Sequence, residues 1–317
     1  MTLGLDPEIR AALGALPLSD PDDGPGHSDA LAVRAGLDPL YHALFERLPT
    51  PDDVDVTEHT APSADGTPVP LRLYRRAGMP STGLVVYLHG GGMIAGSTAL
   101  YDPLMRHYAA ASGVPMLVVG YRLAPEHPYP AGVEDAYAAV VWAAKHAGEL
   151  GADPSRIAVA GDGGGAGIAA GAVLLGRDRG GPTLAGQALI QPMLDDRTVH
   201  ADPLLGRETI WSHRDNRAAW AAVLGRPLDE EPGHTPPYAS PARAGDVAGL
   251  PPTYLEIAGL DVLRDEALAF GARLARVGTT VELHLHPGAP HAFDLLAPEA
   301  AVSQRALDDR IRFFGGF

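Results

Sequence analysis

Arg156-Ile157-Ala158-Val159-Ala160-Gly161-Asp162-Gly163-Gly164-Gly165-Ala166-Gly167-Ile168-Ala169-Ala170 is the stretch whose reading decides the fold. A short, β-branched apolar run ends at Gly161, and a run of small residues begins at about Gly164. This reads as a buried strand turning abruptly into a helix. Such a turn has the shape of a nucleophile elbow, Gly-x-Ser-x-Gly, which lifts a serine hydroxyl above a sheet and aims the following N–H groups at an oxyanion. Here the frame is Gly161-Asp162-Gly163-Gly164-Gly165, with glycine at the serine position.

Outward from the elbow, apolar strands alternate with helices. Upstream, strands are expected over 54–59, 69–74, 84–88 and 116–119, with helices over about 100–111 and 132–147. Downstream come strands over 187–190, 253–258 and 281–286, with helices over 263–277 and about 301–314. Continuous apolar strands separated by amphipathic helices imply an α/β fold whose mostly parallel, twisted sheet is covered by helices on both faces. Helical patches over 8–16, 30–37 and 40–48, broken by a turn-rich stretch over 19–26, carry too little apolar surface to fold alone and are expected to pack over another part of the chain. The organisation expected is an N-terminal helical cap segment (1–50), a core (51–195), a polar, Trp-containing cap insertion (196–233) and the rest of the core (234–317).

The second signal is Tyr87-Leu88-His89-Gly90-Gly91-Gly92-Met93, directly after a buried strand. Three glycines let backbone N–H groups crowd a ligand oxygen without Cβ interference, which is how an HGGG-type oxyanion hole is built. His89 is expected to orient backbone there. Asp261 and His291 each follow a strand, in the chain order such an elbow requires of its acid and base. Taken alone, Asp261 also reads as the N-cap of the helix that follows. His284 and His286 lie two apart on a strand. With no third ligand evident, a solvated strand face is expected and no metal site is assigned.

At 317 residues and 46% hydrophobic content, the chain has enough material for a substantial core. A net charge of −15 without any basic run argues against nucleic acid or an anionic membrane surface as partner. The absence of cysteine removes disulfides, thiolate metal sites and a cysteine nucleophile together. The opening residues show neither a positive n-region nor a long apolar stretch, so a soluble cytoplasmic protein is expected. The glycines of 161–167 do not make a dinucleotide fingerprint, because no acidic residue stands at a strand end about 20 positions on.

Over about residues 54–315 the sequence resembles the hormone-sensitive-lipase-like family of α/β-hydrolases. The stretches that carry the resemblance are His89-Gly90-Gly91-Gly92, Tyr121-Arg122-Leu123-Ala124-Pro125-Glu126-His127-Pro128, Asp153-Pro154-Ser155-Arg156 leading into Gly161-Asp162, Gln191-Pro192-Met193-Leu194-Asp195-Asp196-Arg197, Tyr238-Ala239-Ser240-Pro241-Ala242-Arg243 and Asp261-Val262-Leu263-Arg264-Asp265-Glu266. The resemblance implies cofactor-free hydrolysis of carboxylic esters, with Asp261 as acid, His291 as base, and Gly91, Gly92 and Gly164 as the oxyanion hole. Where that family reads Gly-Asp-Ser-Ala-Gly-Gly-Asn, this chain reads Gly161-Asp162-Gly163-Gly164-Gly165-Ala166-Gly167.

Without a hydroxyl at 163 no acyl-enzyme can form there, and three readings follow. The first is a His–Asp dyad with an oxyanion hole, acting on a small carbonyl or ester substrate by water attack, elimination, decarboxylation or cyclisation. The second is a binding protein for a small ligand, and the third is an ordinary carboxylesterase with its nucleophile mutated to glycine. The oligomeric state is left open, a homo-oligomer included.

Overall fold

A computed structural model describes residues 4–14, 29–81, 83–200, 202, 205, 210–228 and 234–317. Eight strands, β1 (Val54–Pro62), β2 (Pro68–Arg76), β3 (Leu84–Leu88), β4 (Met116–Val119), β5 (Ile157–Asp162), β6 (Gly186–Ile190), β7 (Thr253–Ala258) and β8 (Val281–His286), form one sheet in the order β1-β2-β4-β3-β5-β6-β7-β8. β2 pairs antiparallel with both β1 and β4, and all other pairs are parallel. The helices are α1 (Pro7–Leu13), α2 (Ala30–Phe45), α3 (Asp102–Ser112), α4 (Ala131–Lys145), α5 (Gly164–Arg179), α6 (His213–Leu224), α7 (Arg264–Arg276), α8 (Phe293–Leu296) and α9 (Ala301–Phe314).

The five strands β3 to β7 are buried almost throughout, as their unbroken apolar runs require. Alternate side chains divide between two layers. Leu84, Val86, Leu88, Val159, Leu189 and Leu255 pack with α4, α5 and α7. On the other face Val85, Tyr87, Val118, Ala160 and Tyr254 pack with α3 and α9. Because β3 to β8 run parallel, their C-terminal ends share one edge, and the loops after β3, β5, β6, β7 and β8 meet there.

Three sequence expectations change in the structure. The two patches expected over 30–37 and 40–48 are one helix, α2, with Pro39 inside it. One lost hydrogen bond is outweighed by a buried stripe of Val33, Leu37, Tyr41, Leu44 and Phe45, which seats α2 against α6 and α8. The first patch is α1, ending at Leu13, and the turn-rich 19–26 lies outside the described residues. On β8 the expected faces are inverted: Leu283 and Leu285 are exposed, whereas His286 is buried against Phe293. His284 meets Glu282 and Asp309, two carboxylates the sequence reading overlooked. Arg312 already bridges both of them with its guanidinium. No helix among the described residues is long and apolar enough to cross a membrane.

Candidate active site

β5 ends at Asp162, and the chain turns into α5 through Gly163, at φ 51° and ψ −117°. Side chains adopt this conformation only under strain. The turn is held by the Gly163 N–H donating to the Ile190 carbonyl at 2.9 Å, and by the Met193 N–H donating to the Gly163 carbonyl at 2.9 Å. Glycine two positions on is enforced by packing, since a Cβ on Gly165 would collide with the carbonyls of Leu88 and His89. At Gly163 the space is open: a Cβ there would meet only the His291 ring, with Nε2 at 3.4 Å.

His291 sits in the loop between β8 and α8, almost wholly buried, and its Nδ1–H donates to Asp261 Oδ2 at 2.6 Å. The other oxygen of Asp261 accepts the Leu263 N–H at 3.0 Å just ahead of α7. Asp261 is thus paired with His291, but it is not the N-cap expected from the sequence: α7 starts at Arg264 with Leu263 at its N-cap and no side-chain cap bond, and the Leu263 N–H contact belongs to the turn before the helix. Burial pulls the imidazole down, but the charge and hydrogen bond of Asp261, with Asp162 and Asp294 beyond, outweigh it and leave His291 raised above its ordinary value.

The glycine loop after β3 lies against the start of α5. A Cβ on Gly164 would come within 2.5 Å of the Met93 nitrogen, so the loop sits closer than an alanine at 164 would allow. Gly91 and Gly92 both have positive φ. Among the described residues no internal acceptor takes the N–H of either, and the N–H of Gly164 opens a helix that leaves its first donors unmatched. His89 stacks on Tyr121 and bonds the Gly90 carbonyl through Nδ1, and burial lowers it to about 4, so it stays neutral and orients backbone as expected.

Sequence reasoning missed the groups that carry this edge. Asp162 is half-buried beneath the turn, where desolvation raises it to about 6 against the hydrogen bonds of Tyr101 and Tyr87. Tyr87 and Tyr101 donate to it at 2.9 and 2.6 Å, and Tyr101 in turn accepts the Gly90 N–H at 2.9 Å. Gln191 accepts the Ala292 N–H at 2.6 Å and donates to Glu256 at 3.1 Å, fixing the loop that bears His291. A cavity of about 20 Å³ opens beside Gly163, bordered by Asp162, Gln191, His291, Asp294 and Arg310. A wider cleft of about 320 Å³ among Tyr137, Arg177, Leu184 and Pro251 contains neither histidine nor carboxylate. Of these two openings, the one beside Gly163 at the C-terminal edge of the sheet is the one lined by histidine and carboxylates.

A turn of this geometry at the central strand, facing a His–Asp pair across a glycine loop, is the arrangement that α/β-hydrolases build. The chain belongs to that family: residues 85–295 match a family described as alpha/beta hydrolase fold. It is 37% identical to the carboxylic ester hydrolase LipN of Mycobacterium tuberculosis, over 91% of this chain and 77% of that protein. It is 39% identical to the carboxylesterase NlhH of the same organism, over 83% of this chain and 85% of the relative. Among solved structures, a bacterial heroin esterase superposes with a TM-score of 0.86 at 39% identity, covering 98% of this chain and 97% of the other. The protein is a carboxylesterase-like α/β-hydrolase.

Proposed function

We propose that this protein hydrolyses a small carbonyl or ester substrate without an acyl-enzyme, His291 serving as general base to water beside Gly163. The observation that carries the reading is the His291 Nε2, 3.4 Å from where a residue-163 Cβ would stand, with no hydroxyl between. The adjoining cavity of about 20 Å³ has a mixed lining that offers Asp162, Gln191 and His291 as polar partners, and it exceeds the roughly 10–15 Å³ one water needs.

In the reaction, His291 takes a proton from the water as its oxygen bonds to the carbonyl carbon. The carbonyl oxygen gathers charge toward the N–H groups of Gly92 and Gly164, and Asp261 stabilises the imidazolium. Collapse breaks the bond to the leaving oxygen, which receives the proton from His291. General-base catalysis supplies about 10²–10⁴ and an oxyanion donor about 10²–10³, enough for an activated ester.

Only the unprotonated imidazole can act as base. The raised state of His291 therefore means that the rate is low in acid, climbs with pH through an inflection above about 6.5, and then levels. The test is p-nitrophenyl acetate hydrolysis across pH by the native protein and His291→Ala, with mass spectrometry after exposure to a serine-directed phosphonate. The expected result is that inflection, a loss of about 10²-fold or more in the variant, and no phosphonate adduct. Equal rates for the two proteins would leave a pocket that binds without turnover. A stoichiometric adduct would reveal another nucleophile.

A further inference from the structure

Trp211 is buried in the segment leading to α6, and its six-membered ring lies on the Cα of Gly92 so closely that a Cβ there would collide with Cη2. Its ring centre is 6.5 Å from that of His291. The indole is not loosely placed. Its Nε1–H donates to Asn216 Oδ1 at 3.2 Å, and the wholly buried Asn216 donates to the Thr198 carbonyl at 2.7 Å. Ser212 and Asp215 close a reciprocal capping box at the next residues, which fixes the start of α6 and with it the ring.

We infer that Trp211 is the specificity-determining wall of the site and restricts it to substrates with a short, acetyl-sized acyl group. This rests on the hydrolytic reading above. A carbonyl seated between the N–H groups of Gly92 and Gly164 and the His291 ring has the indole beside it on the Gly92 side. Toward Asp162 the open space is about 20 Å³, the size of a water or a methyl group and too small for an alkyl chain. On the Gly92 side a longer acyl chain has to displace an aromatic ring that is anchored at its nitrogen and packed against backbone.

The experiment compares p-nitrophenyl acetate, butyrate and octanoate on the native protein, Trp211→Ala and Trp211→Phe, with thermal melting to establish that each variant is folded. The expected outcome is a native preference for acetate, and a rise of about tenfold or more in kcat/KM for octanoate in Trp211→Ala. Acetate turnover should change far less, and Trp211→Phe should fall between. A chain-length profile that keeps its shape in both variants would overturn the inference. A second arm needs no chemistry: calorimetric titration with acetophenone and octanophenone. The native protein should bind only the short ketone and Trp211→Ala both, whereas native affinity for octanophenone equal to that for acetophenone rejects the wall. Absence of His291-dependent turnover together with the expected ketone selectivity would overturn the hydrolytic reading alone.

Discussion

At residue 163 the backbone is strained and the space beside it is free, a combination that sets the outcome of placing a hydroxyl there. Serine there would occupy φ 51°, ψ −117°, at a cost on the order of 1–3 kcal/mol. It would also remove about 0.5–1 kcal/mol of unfolded-chain freedom that glycine carries, so strain wins by a narrow margin. The nearest obstacle to its Cβ is His291 Nε2 at 3.4 Å, an ordinary contact from which one further C–O bond reaches hydrogen-bonding distance. Gly163→Ser is therefore expected to lower the melting temperature by a few degrees, about 2–4 °C per kcal/mol. It should raise p-nitrophenyl acetate turnover by about 10²-fold or more, and Gly163→Ser/His291→Ala should lose that gain. Equal activity of the single and double variants would mean that the site has been remodelled beyond the turn. Gly163, Asp261 and His291 were legible because each sits at a strand end in a fixed chain order. Trp211 was not, since nothing in its neighbourhood in sequence announces that it lies on Gly92.

The helix α2 does more than cover the site. On one turn of its surface, Arg34 donates to the carbonyl of Ile94, to the carbonyl of Ala124 at 2.7 Å and to both oxygens of Glu126 at 2.7 Å, while Asp38 accepts the Gly96 N–H at 2.9 Å. The glycine loop after β3 is thereby tied to an element more than 50 residues upstream in the chain. Arg34→Met with Asp38→Ala should lose about 1–3 kcal/mol and speed amide exchange over residues 93–97, read by hydrogen–deuterium exchange. Glu126→Gln should do little, because that carboxylate is half exposed and its ion pair is screened. Unchanged protection at 93–97 in the double variant would rule out the tie. This element was half legible. Its apolar spacing shows two helical patches, but whether Pro39 ends or merely interrupts a helix depends on what the far side buries. β8 misled for a related reason: alternation fixes which residues share a face, and α9, whose Asp309 and Arg312 meet His284 and Glu282, decides which face is covered.

Across the molecule, Arg310 of α9 joins parts that no motif connects. Its guanidinium meets Glu256 of β7 at 2.5 Å, Asp294 of α8 at 2.5 Å and the Tyr108 hydroxyl of α3 at 3.0 Å, and it is only 2% exposed. Arg310→Met would leave two carboxylates without their cation and should cost about 3–5 kcal/mol, measured by urea unfolding. Arg310→Met combined with Glu256→Gln and Asp294→Asn should recover much of it, and a single variant as stable as the native protein would refute the role. The layered sheet was legible in the sequence because strand and helix periods are local. This network was not, because Arg310 stands 16, 54 and 202 residues from Asp294, Glu256 and Tyr108, and polar spacing has no period to read. The cavity beside Gly163 has the same long-range character, with Tyr41 on one wall and Arg310 on another. On a ribosome, residues emerge in order at about 5–20 per second, so Tyr41 is exposed on the order of 10–50 s before Arg310 can close the space it borders. By the end of that interval all eight strands have emerged, yet the site stays unfinished until Arg310 follows them.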